Sequence, residues 1–405
     1  MSLANVILPA LALIVVGVLF TPALRSSELW RAIVSPLASI VGSGFLVSGP
    51  LLAHAVGPWA PIAMFAIVAF AYAIGSVIRF NILYAEPNIN DRRGSFALIS
   101  IQRLSDLALG LAYIVSVAFY LRLLSSFVLS FGGTSEALVQ KAFTSAVLIF
   151  IALIGWLRGL HGLEKLEETA VAIKLAIIVA LLCGLVGFDW QWLREGGQLA
   201  QVALENNIFD SLRIMAGLLL VVQGFEISRY LGSDYDAALR VRSMRLAQII
   251  AGIIYLLFIG LGLPLLLEAS GPVNETAIIG IAASVAVILP SLLVLAAVMS
   301  QFSAAVADTV GAGGVFSELS GFSISSRKFY LLLIVAAIVL VWTVNVFEII
   351  TLASRAFALY YFLQCLVAIK VCCNAQAGHS RFRLVAYSLI AAVLVAVIVF
   401  AVPVD

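Results

Sequence analysis

Charge is what this 405-residue chain has least of: Asp, Glu, Lys and Arg make up 11% of it, against 63% hydrophobic residues. So much apolar and so little charged content excludes a soluble globular domain. Histidine and cysteine are scarce too, at three and four residues. His54, His161 and His379 all fall near the ends of apolar runs. Cys183, Cys365, Cys372 and Cys373 have no metal-ligand spacing, so no metal site and no cofactor is expected. Cys372-Cys373 reads as a lipid-facing or palmitoylatable pair rather than a disulfide. A net charge of +2 points to no polyanion, so nucleic acid is not an expected partner. HExxH, GxSxG and paired His/Asp patterns are absent, which argues against a membrane-embedded enzyme. A repeated filter or charge ring, which a channel would need, is also missing. No charged stretch precedes the first apolar run, so a cleaved signal peptide is not expected.

Apolar runs of bilayer-spanning length, ~20 residues, recur along the whole chain. They read at about 3–21, 32–55, 59–84, 104–131, 140–158, 168–188, 208–231, 246–268, 277–306, 328–346, 348–374 and 384–403, twelve in all. Alternate connections hold 16 of the 23 Lys and Arg residues, from Arg25 and Arg31 to Arg381 and Arg383. The opposite set holds Lys141, Arg194 and Arg213. By the positive-inside rule this predicts a multi-pass protein, placed in a bacterial inner membrane with both termini outside.

Two of these runs are interrupted where a helix should be continuous. The first reads Ile40-Val41-Gly42-Ser43-Gly44-Phe45 and the second Val222-Gln223-Gly224-Phe225-Glu226. Glycine weakens a helix by about 1 kcal/mol per residue, and freed backbone groups are tolerated at membrane depth only beside a cavity or inside protein. Each interruption opens a block of five runs, 29–190 and 207–375. An odd number of crossings turns the second block upside down relative to the first, the inverted-repeat plan of secondary transporters. Residues 1–28 then form an additional N-terminal helix and 384–403 a final one.

The first interruption, the following Gly57-Pro58, and Tyr84-Ala85-Glu86-Pro87 resemble motifs of the amino acid–polyamine–organocation (APC) transporters. Gly162-Leu163-Glu164 through Ile173-Lys174-Leu175 resembles their fifth helix, and Gly224-Phe225-Glu226 their sixth. Ser303 to Gly314 is loosely similar to the end of their eighth. The resemblance spans about residues 29–375 and implies an all-α membrane fold, a LeuT-like 5+5 inverted repeat with discontinuous first and sixth core helices. It departs from the family before the sixth-helix glycine, where Val221, Val222 and Gln223 replace the usual aromatic residues. A cation occupies the place of the Lys174 ammonium in sodium-coupled relatives, so the lysine favours proton coupling or coupling-free exchange.

A charge at the bilayer centre costs ~2.5–3.5 kcal/mol by insertion scales, which makes each one a functional candidate. Lys174 is a proton-coupling candidate or a lysine snorkelling to the surface. Glu226 takes a proton or caps the unwound strand. Arg122 and Arg355 either pair with Glu348 or bind a carboxylate; Asp308 reads as a wetted gate or cap residue, and Arg79 as a snorkelling one. Substrate contacts are expected from uncharged groups: amides around Val41, Gly42, Ser43, Gly44 and Phe45 for a carboxylate, and carbonyls of Val221, Val222 and Gln223 for an ammonium. Gly224, Phe225, Ser300, Gln301 and Ser303 complete the set. These suit a zwitterion such as an amino acid, or an amine. The competing readings are an inorganic ion or metal carried by a related fold, whose usual Asp-Pro-Gly break and methionine are missing here, and, more remotely, an enzyme.

Overall fold

The computed structural model describes residues 4–42, 44–90, 95–134, 136–157, 164–200, 207–232, 234–268, 275–319, 326–373 and 381–403. Every regular element among them is helical. In chain order they are α1 (Ala4–Leu19), α2 (Pro22–Arg25), α3 (Glu28–Gly42), α4 (Phe45–Val56), α5 (Ala60–Phe80), a π-turn (Asn81–Ala85), α6 (Glu86–Asn90), α7 (Phe96–Phe131), α8 (Ala137–Leu157) and α9 (Glu164–Arg194). There follow α10 (Ile208–Gly217), a short 3-10 stretch (Leu219–Val222), α11 (Ile227–Tyr230), α12 (Ala237–Glu268), α13 (Ala277–Val285), α14 (Leu289–Leu319), α15 (Ser326–Thr343), α16 (Val346–Cys373) and α17 (Arg381–Phe400). Eight segments among the described residues are long and apolar enough to cross a membrane, so the protein is an integral, multi-pass one. The first of these is a 62-residue run, Glu28–Ile89. Gly57, at φ 56°, reverses the chain within it so that α4 and α5 pack together.

At the centre stands α7. Ala118, Phe119, Tyr120 and Leu121 follow one another at 0% exposure, and a helix buried on all sides is one enclosed by other helices. It packs against α14 and α16, and also against α8 and α15. Its start is set by Ser95, whose hydroxyl accepts the Leu98 amide, a capping interaction that fixes the first turn. On one flank α12 packs on α3 and α5, and on the other α9 packs on α1 and α14.

Three expectations about the spans are corrected. The run read as one crossing at 277–306 is two helices, α13 and α14, separated by Ala286 in extended conformation. Pro290 explains the restart, since it has no amide to donate and is accommodated in the first turn of a new helix. The run read as ending at 188 continues as helix to Arg194. Arg79 does not reach for the surface: its Nη1 donates to Gln248 Oε1 at 2.5 Å and its Nη2 to the Tyr72 carbonyl at 3.3 Å.

Candidate functional site

The two interruptions are present in the structure, and they close on one another. α3 ends at Gly42 and α4 begins at Phe45, with Gly44 outside either helix; Ser43 lies outside the described residues. The Gly44 carbonyl accepts the Val47 and Ser48 amides, and the new half-helix starts without any side-chain cap. The second interruption runs from Gly217 to Ile227, through the 3-10 stretch and an open segment at Gln223-Gly224. Gly224 has φ 116°, a region that disfavours any residue with a Cβ. A Cβ there would strike the Ser39 side chain and come within 2.9 Å of the Ile40 nitrogen. A Cβ on Gly44 would meet Val221 Cγ1 at 2.5 Å and Val221 Cα at 3.3 Å. Each glycine therefore sits against the segment just before the other break.

One side chain spans that crossing. The Tyr255 hydroxyl on α12 lies 2.9 Å from the Ile40 carbonyl oxygen and also contacts the Val221 carbonyl. A phenol has a single proton, so the two carbonyls share one donor. The Val221 carbonyl, expected to be open to an ammonium, is thus already engaged. Gly42 O is taken as well, by Gln301 Nε2 at 2.9 Å. Phe45 locks α4 in place, with its ring 5.3 Å from Tyr255 and 4.5 Å from Phe258.

Lys174 is 3% exposed and does not snorkel. Its ammonium donates to the Ala38 carbonyl at 2.7 Å and to Ser300 Oγ at 3.3 Å, joining α9 to α3 and α14. The ammonium also lies beside the first break, since a Cβ on Gly42 would be 3.4 Å from it. Val41, Gly42, Phe45 and Ser300 line the small cavity of about 10 Å³ beside it, room for about one water.

Glu226 is 0% exposed. Its Oε2 accepts the Gly224 amide at 3.0 Å and the Tyr361 hydroxyl at 2.8 Å, so it caps the unwound strand. Its Oε1 has no partner among the described residues. Gln223 donates to the Tyr120 hydroxyl at 2.6 Å, and Phe225 stacks on Tyr361 with ring centres 5.3 Å apart.

A cavity of about 830 Å³ approaches this crossing from one end of the bundle. Exposed Arg31 and Asp234 stand at its mouth, Tyr113 and Asp308 at its depth, and Ser303 and Phe302 on its α14 wall. Asp308 is 2% exposed and accepts from Ser116, so it is a buried wall residue rather than a cap. The predicted residues are not gathered in one open site. Ser303 lines the large cavity, Val41, Gly42, Phe45, Ser300 and Lys174 the small one, and Val222 a third beside Tyr255. Pairing with Glu348 is not found either, because Glu348 caps α16 by reciprocal bonds with Asn345. Arg355 donates to the Ala401 carbonyl at 2.5 Å. Arg122 stands near Glu275, which accepts from Ser126.

A family model of APC superfamily transporters matches residues 22–401. The chain belongs to the APC superfamily of transporters. An uncharacterized protein of Aquifex aeolicus (strain VF5) is 42% identical to it over 384 residues, 94% of this chain and 92% of that protein. Among solved structures, two variants of the Eremococcus coleocola manganese transporter superpose with TM-scores of 0.57 and 0.56, each covering 92% of this chain and 87% of theirs. Both are 13% identical to this transporter, a likeness of fold alone.

Sequence reasoning missed the tyrosines of this transporter's centre. Tyr113, Tyr120, Tyr255 and Tyr361 all approach the second break or the cavity floor. A signal for three of them was available: Gln102, Ser105, Tyr113, Ser116 and Tyr120 recur on one face of α7 at helical spacing. On α16, Ser354, Tyr361 and Gln364 do the same, and Gln364 Nε2 donates across to Ser105 Oγ at 2.8 Å.

Proposed function

We propose that this APC superfamily transporter is a secondary active carrier of a small organic solute, an amino acid or an amine, working by alternating access. The observation that carries this reading is the mutual closure of the two broken helices, with a solvent-open cavity ending one helical turn from it. A crossing of broken helices at membrane depth is where secondary transporters bind. In this reading 29–190 and 207–375 are inverted five-helix repeats, within a plan of twelve crossings that gives both termini the same side. The solute sits at the uncapped start of α4 and beside Gln223, Gly224 and Phe225, with Ser300 and Ser303 on the facing helix. Glu226 Oε1 and Asp308 offer negative charge to an ammonium.

Lys174 is the coupling group of the proposal, with Glu226 a second proton-accepting group. Support comes from register on three helices. Ser35, Ala170 and Ser303 line the large cavity, and Ala38, Lys174 and Ser300, three or four residues on, form the ammonium site. The site is therefore one turn, ~5.4 Å, beyond water. Protonated, Lys174 holds α3 against α9 and α14; neutral, it releases a donor from the Ala38 carbonyl. Uptake of a labelled solute panel into proteoliposomes, with and without a pH gradient, tests the proposal. Accumulation of an amino acid or amine under the gradient is expected. Accumulation of manganese, with no organic solute taken up, would favour the metal reading, although no group of three His, Cys, Asp or Glu residues gathers among the described residues.

A further inference from the structure

The basic end of α5 presents a feature that solute transport does not use. Arg79 is 6% exposed, and its two hydrogen bonds go to neutral groups, Gln248 and the Tyr72 carbonyl. Its guanidinium lies 4.7 Å from the Tyr72 ring centre. Two further arginines stand close enough to act on the same surroundings. Arg245, one turn before Gln248 on α12, is an electrostatic neighbour of Arg79, and Arg383 on α17 shares Tyr387 as neighbour with it. Arg383 lies over the Phe80 ring at 5.7 Å, and Phe80 in turn meets Tyr387 at 5.4 Å. Arg245 and Arg383 are exposed, as are Tyr72 and Tyr84.

Among the described residues, none of these three arginines makes an ion pair with a carboxylate. Helix α5, the π-turn and α17 contain no Asp or Glu at all, and the one acid in α12, Glu268, closes its far end. Glu86 is engaged elsewhere, with Arg240 at 2.7 Å and Arg229 at 3.6 Å. A charge within a membrane protein pairs with an opposite charge or with backbone carbonyls; buried Arg79 has one carbonyl and one amide oxygen, and exposed Arg245 and Arg383 leave the group with a net positive charge. An arginine group beside interfacial tyrosines at the basic end of a bundle matches the chemistry of an anionic lipid headgroup, a phosphodiester with acyl chains alongside.

We infer that Arg79, Arg245 and Arg383 form a site for one anionic phospholipid on the surface shared by α5, α12 and α17. The headgroup phosphate accepts from the guanidiniums while the exposed rings of Tyr72 and Tyr84 flank the glycerol and upper chains. This site is separate from the solute site and independent of what is transported.

Native mass spectrometry of the purified full chain, delipidated and titrated with phosphatidylglycerol, phosphatidylcholine or inorganic phosphate, tests it. Wild type is expected to retain phosphatidylglycerol over phosphatidylcholine, and Arg245→Gln and Arg383→Gln each to weaken that retention by about five-fold. These two positions are exposed, so folding survives their replacement; Arg79→Gln, which is riskier, should weaken it further. Equal retention of the two lipids would overturn the site, as would undiminished binding in the Arg245→Gln/Arg383→Gln double variant. Full competition by inorganic phosphate at matched concentration would overturn the lipid as its occupant.

Discussion

The two helix breaks lie against each other but are built differently. The first separates half-helices of 15 and 12 residues with hardly a gap, and it is held from outside by Lys174 of α9, by Gln301 of α14 and by Tyr255 of α12. The second leaves a longer unwound stretch that ends in a four-residue helix, and its own Glu226 turns back to cap it. A break clamped by neighbours moves only if the clamps change partners. The second break is held as well, by Tyr120, Tyr255 and Tyr361, yet its Glu226–Gly224 bond lies within the segment and can travel with it. The contrast also separates the charges: the cation serves the first break and the anion the second.

The sharpest blow to this pair should be Gly44→Leu. A side chain there must displace Val221 across the crossing, so transport is expected to fall to background while the protein still reaches the membrane and stays monodisperse. Near-normal uptake would show that the two breaks need not meet. Lys174→Ala comes next. It removes one of the three external clamps, the charged one, and pH-driven accumulation should vanish while solute exchange persists, a loss set by a coupling energy of about 1–3 kcal/mol. Undiminished accumulation with wild-type pH dependence would reduce Lys174 to a packing residue.

Glu226 distinguishes a cap from a charge. Glu226→Gln keeps an acceptor for the Gly224 amide, so folding and exchange should survive, with driven accumulation reduced less than in Lys174→Ala. Glu226→Ala strips the cap and should cost about 1–3 kcal/mol of stability, read as a lower thermal midpoint. If the two substitutions destabilise alike, the self-capping account fails. The smallest effect is expected from Tyr255→Phe. One interhelical hydrogen bond in a membrane protein averages about 0.6 kcal/mol, so uptake should slow a few-fold without loss of substrate preference.

Sequence reasoning located both breaks because glycine in a membrane run has few other uses. It singled out Lys174 because a charge in such a run must find a partner or reach the surface. It failed where the partner decides. The carbonyl of Val221 is covered by a tyrosine from a helix far along the chain, and nothing near residue 221 announces that. Arg79 and Arg355 found carbonyls and an amide side chain instead of water or Glu348, since a packed neighbour was nearer. The split between α13 and α14 was legible at Pro290 but outweighed by the apolar run around it.

The shared proton of Tyr255 has a mechanical consequence. Two carbonyls from the two broken segments lean on one hydroxyl, and only one proton is available to them. When the segments shift, lengthening one contact leaves the other in place, so the joint keeps its bond count through the motion. A donor fixed to a single carbonyl would have to break first, leaving a buried polar group bare at a cost of about 1–3 kcal/mol. Tyr255 is thus a bearing on which the crossing can turn, and its ring, edge-on to Phe45, keeps the axle from sliding.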